Sequence, residues 1–179
     1  MTHFFERKVE RDSMSYCISA GVIRDTEKVL DDYAKMAPSN EGLVYWGGNI
    51  VGNEISITAI IAPDTESDFG RVTTSHRSNF EFVKTLNNNK IIQIAQVHSH
   101  PSSWVSHSPG DNKWAAFKSE GLISIVVPNY GIDGMLPLVN CGVHRFTKGS
   151  FHRLSTAYVK THFIIENQSY SNFIDLRKK

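Results

Sequence analysis

The chain has 179 residues, 40% hydrophobic and 21% charged, with 19 Lys and Arg against 18 Asp and Glu for a formal net charge of +1. That length suits one domain able to bury a sizeable core without staples, and the balanced, dispersed charge lacks the basic stripe that phosphate backbones attract, so nucleic acid is not an expected partner. No run approaches the ~20 apolar residues a bilayer span needs, and the polar start MTHFFERKVERDS lacks the apolar stretch of a signal peptide. Two cysteines, Cys17 and Cys141, match no C-x-x-C pattern and are expected as buried thiols in a reducing, cytoplasmic setting.

In chain order, YCISAGVI reads as a strand, and after Asp25 the residues Val29, Leu30, Tyr33, Ala34 and Ala37 recur at helical spacing until Pro38. GLVYWGG is an apolar strand stopped by Gly47 and Gly48. NEISITAIIAP alternates Ile55, Ile57, Ala59 and Ile61 against Ser56 and Thr58, and the two pair as a hairpin through GGNIVGN. SNFEFVKTLNNN is a second helix with Phe80, Val83 and Leu86 on its stripe, ending in asparagines that favour turns. KIIQIAQVHSH is a strand with Ile92, Ile94 and Gln96 on one face, and PGDNKWAAFKSEG a third helix with Trp114 and Phe117 inward and Gly121 as its stop. LISIVVPN is a further buried strand, and VNCGVHRFTKGSFHRLS two short strands about Lys148 and Gly149. The stretch from Tyr158 to Phe173 is ambiguous between helix and strand, and the Arg177-Lys178-Lys179 tail is expected in solvent. Together these elements predict a single α+β domain with a mostly antiparallel central sheet flanked by helices.

The chemistry concentrates in QVHSHPSSWVSHSPGD, Gln96 to Asp111. Side chains two apart on an extended strand project from one face, so His98 and His100 can converge on a point. Two neutral imidazoles make half of a metal site, although such a pair is also found as two ordinary histidines. SPGD opens a helix with Ser108 as N-cap, Pro109 at the first position and Asp111 at the third, where the helix dipole favours a carboxylate. The plain reading of Ser108 and Asp111 is a capping box. It is compatible with a ligand role, because a cap that fixes the first turn also fixes where the Asp111 carboxylate points. Two histidines and an aspartate would leave the fourth corner of a tetrahedral zinc to water, the mark of a catalytic site. A hydrolase also needs a base, and Glu41 in PSNEGLVYWGG, at a helix-to-strand junction, is the best placed; its plain reading is a solvated loop glutamate.

His98-Ser99-His100, seven residues, Ser108, two residues and Asp111 resembles the JAMM signature (H-S/T-H-x7-S-x2-D) of the MPN-plus metalloproteases, also called JAB domains. NEGLVYWGG looks like the family's upstream element, so Glu41 is similar to its catalytic glutamate. The resemblance implies an MPN/JAB-like domain of cytidine-deaminase-like layout with its core over about 22–143, and leaves 144–179 as a C-terminal extension of open role. It also implies a zinc-dependent isopeptidase or peptidase cleaving after the C-terminal glycine of a ubiquitin-like protein. His98, His100 and Asp111 would hold zinc, Glu41 would activate water and protonate the leaving amine, and Ser108 would hydrogen-bond the oxyanion. The short chain looks more like stand-alone bacterial JAB proteins than long eukaryotic deubiquitinases. Those bacterial proteins accompany ubiquitin-like tags with activating and conjugating enzymes in anti-phage defence, or process sulfur-carrier proteins. The chain departs from the pattern in lacking the Trp many bacterial members carry before the first histidine, and the end beyond Arg145 matches nothing in the family.

Among the remaining residues, His107 is a loop histidine expected in solvent, with a substrate contact or proton relay as its functional alternative. Trp104 is expected to pack under its loop, with walling of a substrate groove as the alternative. VPNYGIDGMLP, Val127 to Pro137, is a candidate mobile flap. Rival readings are a 2-His-1-carboxylate iron site, which would leave Glu41 without a purpose, a non-catalytic MPN scaffold, and a RadC-like DNA-associated protein, against which the near-neutral charge argues.

Overall fold

The computed structural model describes residues 13–36, 38–68 and 71–178. The polar N-terminal segment before residue 13, Ala37 of the first helical stripe, and Lys179 lie outside these described residues. Over these residues the chain is an α+β fold built on a mixed nine-stranded sheet. β1 (Ser15–Ser19) leads directly into α1 (Ala20–Ala34), because the Ser19 hydroxyl accepts from Gly21 N and caps the helix there. The helix therefore starts ahead of Asp25, and Val22 and Ile23 join Val29, Leu30 and Tyr33 on its buried stripe.

β2 (Leu43–Val51) and β3 (Glu54–Ala62) form the expected hairpin, but Gly47 and Gly48 lie inside β2 instead of ending it. They face a bulge, where Gly47 pairs Ala59 and Gly48 pairs Ile57. A Cβ on Gly48 would stand 1.8 Å from Ser56 O, so only glycine permits this approach. The bulge also shifts the phase of β3. Ile55 and Ile57 face the cluster under α1, whereas Ala59 and Ile61 face the opposite cluster with Tyr45. The uniform alternation expected for this strand is thus two half-strands of opposite phase.

After β3 come the short hairpin β4 (Thr65–Asp68) and β5 (Arg71–Thr74), which the sequence did not announce, and α2 (His76–Asn89). α2 buries Phe82, while Phe80 and Val83, expected inward, are exposed. β6 (Ile92–Ser99) carries a second register shift against β2, so Ile94 packs under α1 while Gln96 and His98 look out on the other face. α3 (Pro109–Trp114) is half the expected length and leaves Trp114 half exposed.

β7 (Ile123–Val127), β8 (Gly142–Thr147) and β9 (Ser150–Arg153) complete one side of the sheet. The ambiguous C-terminal stretch resolves into α4 (Thr156–His162), β10 (Phe163–Glu166) and β11 (Asn172–Asp175). The strand order is β10-β1-β3-β2-β6-β7-β8-β9, with β11 also on β3. β1 occupies the first half of one β3 edge and β11 the second half, both parallel to it. The β1–β10 and β6–β7 pairs are parallel as well, so the sheet is mixed where a mostly antiparallel one was expected.

α1 covers one face of this sheet and α2 the other. β2 serves both layers by alternation, with Val44 and Trp46 to the first and Leu43 and Tyr45 to the second. Trp46, fully buried, donates its indole N–H to Thr26 Oγ1 at 2.8 Å. Cys17 and Cys141 are free and buried as expected. Arg177 is not a solvated tail residue: its guanidinium pairs with Asp175 at 2.8 Å and Asp32 at 3.0 Å. No helix among the described residues is long and apolar enough to cross a membrane.

Candidate metal centre and active site

The parallel β6–β7 pair ends with His98 opposite Val126 and Ser99 opposite Val127. His100 continues the line, its N–H donating to Val127 O at 2.8 Å. His98 and His100 therefore project from the same face with their Nε2 atoms 3.2 Å apart. Both rings are buried. His100 Nδ1 lies 2.9 Å from the Trp104 carbonyl, so it carries the proton and leaves the Nε2 lone pair facing His98.

Asp111 comes from α3. The Ser108 hydroxyl accepts from Asp111 N at 3.0 Å, and the Asp111 carboxylate accepts from Ser108 N at 2.6 Å, the capping box read from the sequence. That geometry sets Asp111 Oδ2 3.2 Å from His100 Nε2 and Oδ1 3.6 Å from His98 Nε2. Burial works against the Asp111 charge, but the neighbouring His100 and His98, which bond the carboxylate in their protonated forms, and the Ser108 N–H hold its carboxyl well below the usual carboxylate range. Burial likewise disfavours a charged His100, and its bonds to Asp111 and the Trp104 carbonyl outweigh this and raise its pKa.

The donor set fits a tetrahedral cation. All three ligand atoms lie within 4.8 Å of one another. Zinc–nitrogen and zinc–oxygen bonds of about 2.0–2.1 Å imply donor–donor edges of roughly 3.3 Å, close to the separations observed. Two neutral imidazoles and one carboxylate are also a ligand set that zinc accepts.

Glu41 is buried and not a solvated loop residue. It is held there by a contact with no local signature in the sequence. Ser99 faces away from its two histidine neighbours, accepts from Gly42 N through Oγ at 2.9 Å, and donates its own N–H to Gly42 O at 3.1 Å. The middle residue of His98-Ser99-His100 thus clamps the backbone beside Glu41. Alternation puts Ser99 on the far face, but nothing local to it names Gly42 as its partner.

Glu41, His98, Ser108 and Asp111 line one pocket. The lining also includes Arg71 to Thr74 of β5 and Trp114 of α3, which meet there with the Arg71 guanidinium 5.3 Å from the Trp114 ring centroid. Ser108 can fill both roles proposed for it. A hydroxyl has two acceptor sites and one hydrogen. The cap uses an acceptor site, which leaves the hydrogen to donate into the pocket.

Three expectations around the site change. Trp104 does not pack under its loop; it is half exposed and stacks on His100, with centroids 5.4 Å apart. His107 is not solvated; it bonds Ser124 Oγ at 2.8 Å and Asn112 Oδ1 at 3.2 Å and packs against His144 and Phe151. The Val127 to Pro137 segment is no loose flap. Tyr130 N donates to His100 O, Met135 N donates to Glu27 Oε1, and Gly131 sits against Leu30 of α1.

No family model matches the chain, and no curated protein does. Among solved structures, the solution structure of protein DSY2949 from Desulfitobacterium hafniense is similar, with a TM-score of 0.56 and 16% identity. The match covers 84% of this chain and 92% of that one. Likeness at this identity is a shared fold.

Proposed function

We propose that the chain is a zinc-dependent isopeptidase or peptidase of the JAMM type, an MPN/JAB-like domain that cleaves after the C-terminal glycine of a ubiquitin-like protein. The observation that carries this reading is one pocket lined by Glu41, His98, Ser108 and Asp111, with His100 beside them. His98, His100 and Asp111 would hold the ion, which when bound polarises the scissile carbonyl and lowers the pKa of water to about 7. Glu41, nine-tenths or more buried at the head of β2, takes the proton from the attacking water and returns it to the leaving amine. The Ser108 O–H donates to the developing oxyanion, a contribution commonly worth a few kcal/mol.

The groove favours an extended tail. All of β5 lines the pocket and, among the described residues, β5 pairs only with β4. Its other edge can take an added strand. Deconjugation and precursor processing share this chemistry, in an anti-phage conjugation system or in sulfur-carrier maturation, and the partner is in either case the glycine-ended tail.

The test is cleavage of a ubiquitin-like protein fused at its C-terminal glycine to a reporter. Wild type cleaves it, and Glu41→Ala and His98→Ala do not. Only His98→Ala also loses bound zinc by elemental analysis. Equal cleavage by all three proteins would overturn the mechanism, and stoichiometric iron with a need for dioxygen would replace it with the iron reading.

A further inference from the structure

α3 carries Asp111 yet buries none of its side chains. Among the described residues, this six-residue helix has no buried stripe to supply the tertiary packing that normally holds short helices in place. Its capping box ties Asp111 only to Ser108 of the same turn. Apart from the carboxylate's own contacts with His98 and His100, the helix backbone that aims it needs a tie to the sheet on which those histidines stand.

A continuous path of hydrogen bonds makes that connection. Gln96 Nε2 donates to Ser124 Oγ at 3.1 Å. Ser124 Oγ lies 2.8 Å from His107 Nε2, and His107 Nδ1 lies 3.2 Å from Asn112 Oδ1. The proton positions follow from the acceptors. The Asn112 carbonyl oxygen can only accept, so His107 carries its proton on Nδ1. His107 Nε2 then accepts from the Ser124 hydroxyl, whose lone pair takes the Gln96 amide. The path runs from β6, two residues before His98, through β7 to His107 and onto α3 at the residue next to Asp111. The His107 ring is seated by His144 at 4.3 Å and Phe151 at 4.6 Å between centroids. Gln96 and Ser124 are buried, so the bond between them competes little with water, whereas the His107–Asn112 bond that reaches α3 is exposed and relies on the seated His107 ring for its geometry.

We infer that His107 is a positioning residue that docks α3 on the sheet and thereby presets Asp111 opposite His98 and His100. Its consequence for metal affinity rests on the zinc reading of those three residues; the docking itself does not.

His107→Phe keeps a ring against His144 and Phe151 and removes both hydrogen bonds. His107→Gln retains one acceptor and one donor with which to reach Ser124 and Asn112. Ser124→Ala cuts the same path one bond earlier. Two quantities are measured: backbone amide exchange in chelator-treated protein, and zinc affinity by competition with a chromophoric chelator. His107→Phe and Ser124→Ala are expected to speed exchange at Asp111 and Asn112 while β6 and β7 exchange as in wild type. They should weaken zinc binding by about 10–100-fold, the range for loss of an outer partner of a metal site. His107→Gln should recover most of both. Wild-type exchange in His107→Phe, or His107→Gln as impaired as His107→Phe, would overturn the inference. A wild-type protein that binds no zinc, with α3 still loosened by His107→Phe, would refute the zinc reading and support the docking role.

Discussion

Ser99→Ala removes one oxygen from a residue that touches neither substrate nor ion in the proposed mechanism, yet it is expected to impair both stability and turnover. Ser99 is fully buried and its Oγ is the acceptor for Gly42 N at 2.9 Å. Alanine fills nearly the same space, so the cavity contribution is small and the effect is that of a buried N–H left without an acceptor. Such a group costs about 1–3 kcal/mol. Unfolding by urea, followed on chelator-treated protein, should show a lower midpoint with an unchanged slope, because the surface exposed on unfolding is the same. Ser103→Ala, on the exposed loop, is the control and should stay within about 0.5 kcal/mol of wild type. The second expected effect is on Glu41, whose backbone is held through Gly42: turnover should fall while the substrate concentration at half-saturation stays near wild type. A Ser99→Ala protein with the wild-type urea midpoint and turnover would refute the clamp.

Gly142→Ala is expected to be far more damaging than its size suggests, because the new Cβ would stand 1.7 Å from Val105 O in the loop between the ligands; soluble expression and cooperative melting check this, and a wild-type melting temperature would contradict the close approach. Stability of the metal-free protein should fall as pH drops from about 6.5 towards about 4, since burial presses His144 down to about 4 and only the unfolded chain takes up that proton within the window. His107, pressed to about 3 chiefly by burial, acts in the same sense, so His144→Phe should reduce the slope without abolishing it, and superimposable denaturation series for the two proteins across that range would refute the assignment.

What the sequence revealed of this protein is what depends on local spacing. His98 and His100 share a face because strand side chains alternate, and Asp111 follows from a cap written in four consecutive residues. What it concealed depends on pairing between distant segments. The β3 bulge has no signature in Ile55 to Ile61, because it exists only against Gly47 and Gly48 of the neighbouring strand, and there it reverses the faces of half the strand. The helix start at Ala20 was hidden for a related reason. Ser19 is an ordinary cap residue, but its single hydroxyl hydrogen is also shared between the carbonyls of Gln168 and Tyr170, so the C-terminal segment helps fix the first helix.

α3 is short because of a contact with a distant segment. After the capped first turn, KWAAFKSE offers two alanines, two lysines and a glutamate, and local propensity would carry the helix on to Gly121. Phe117, however, is drawn into the cluster with Tyr45 and Phe82, its ring centroid 5.6 Å from one and 5.1 Å from the other. The backbone leaves the helix at Ala115, whose φ of −53° and ψ of 121° are extended, and Phe117 turns inward there. Trp114 is thereby left beside Arg71 at the pocket wall instead of packing in the core. Tertiary burial of one phenylalanine thus overrides two turns of helix propensity, and the wall of the candidate groove is its by-product.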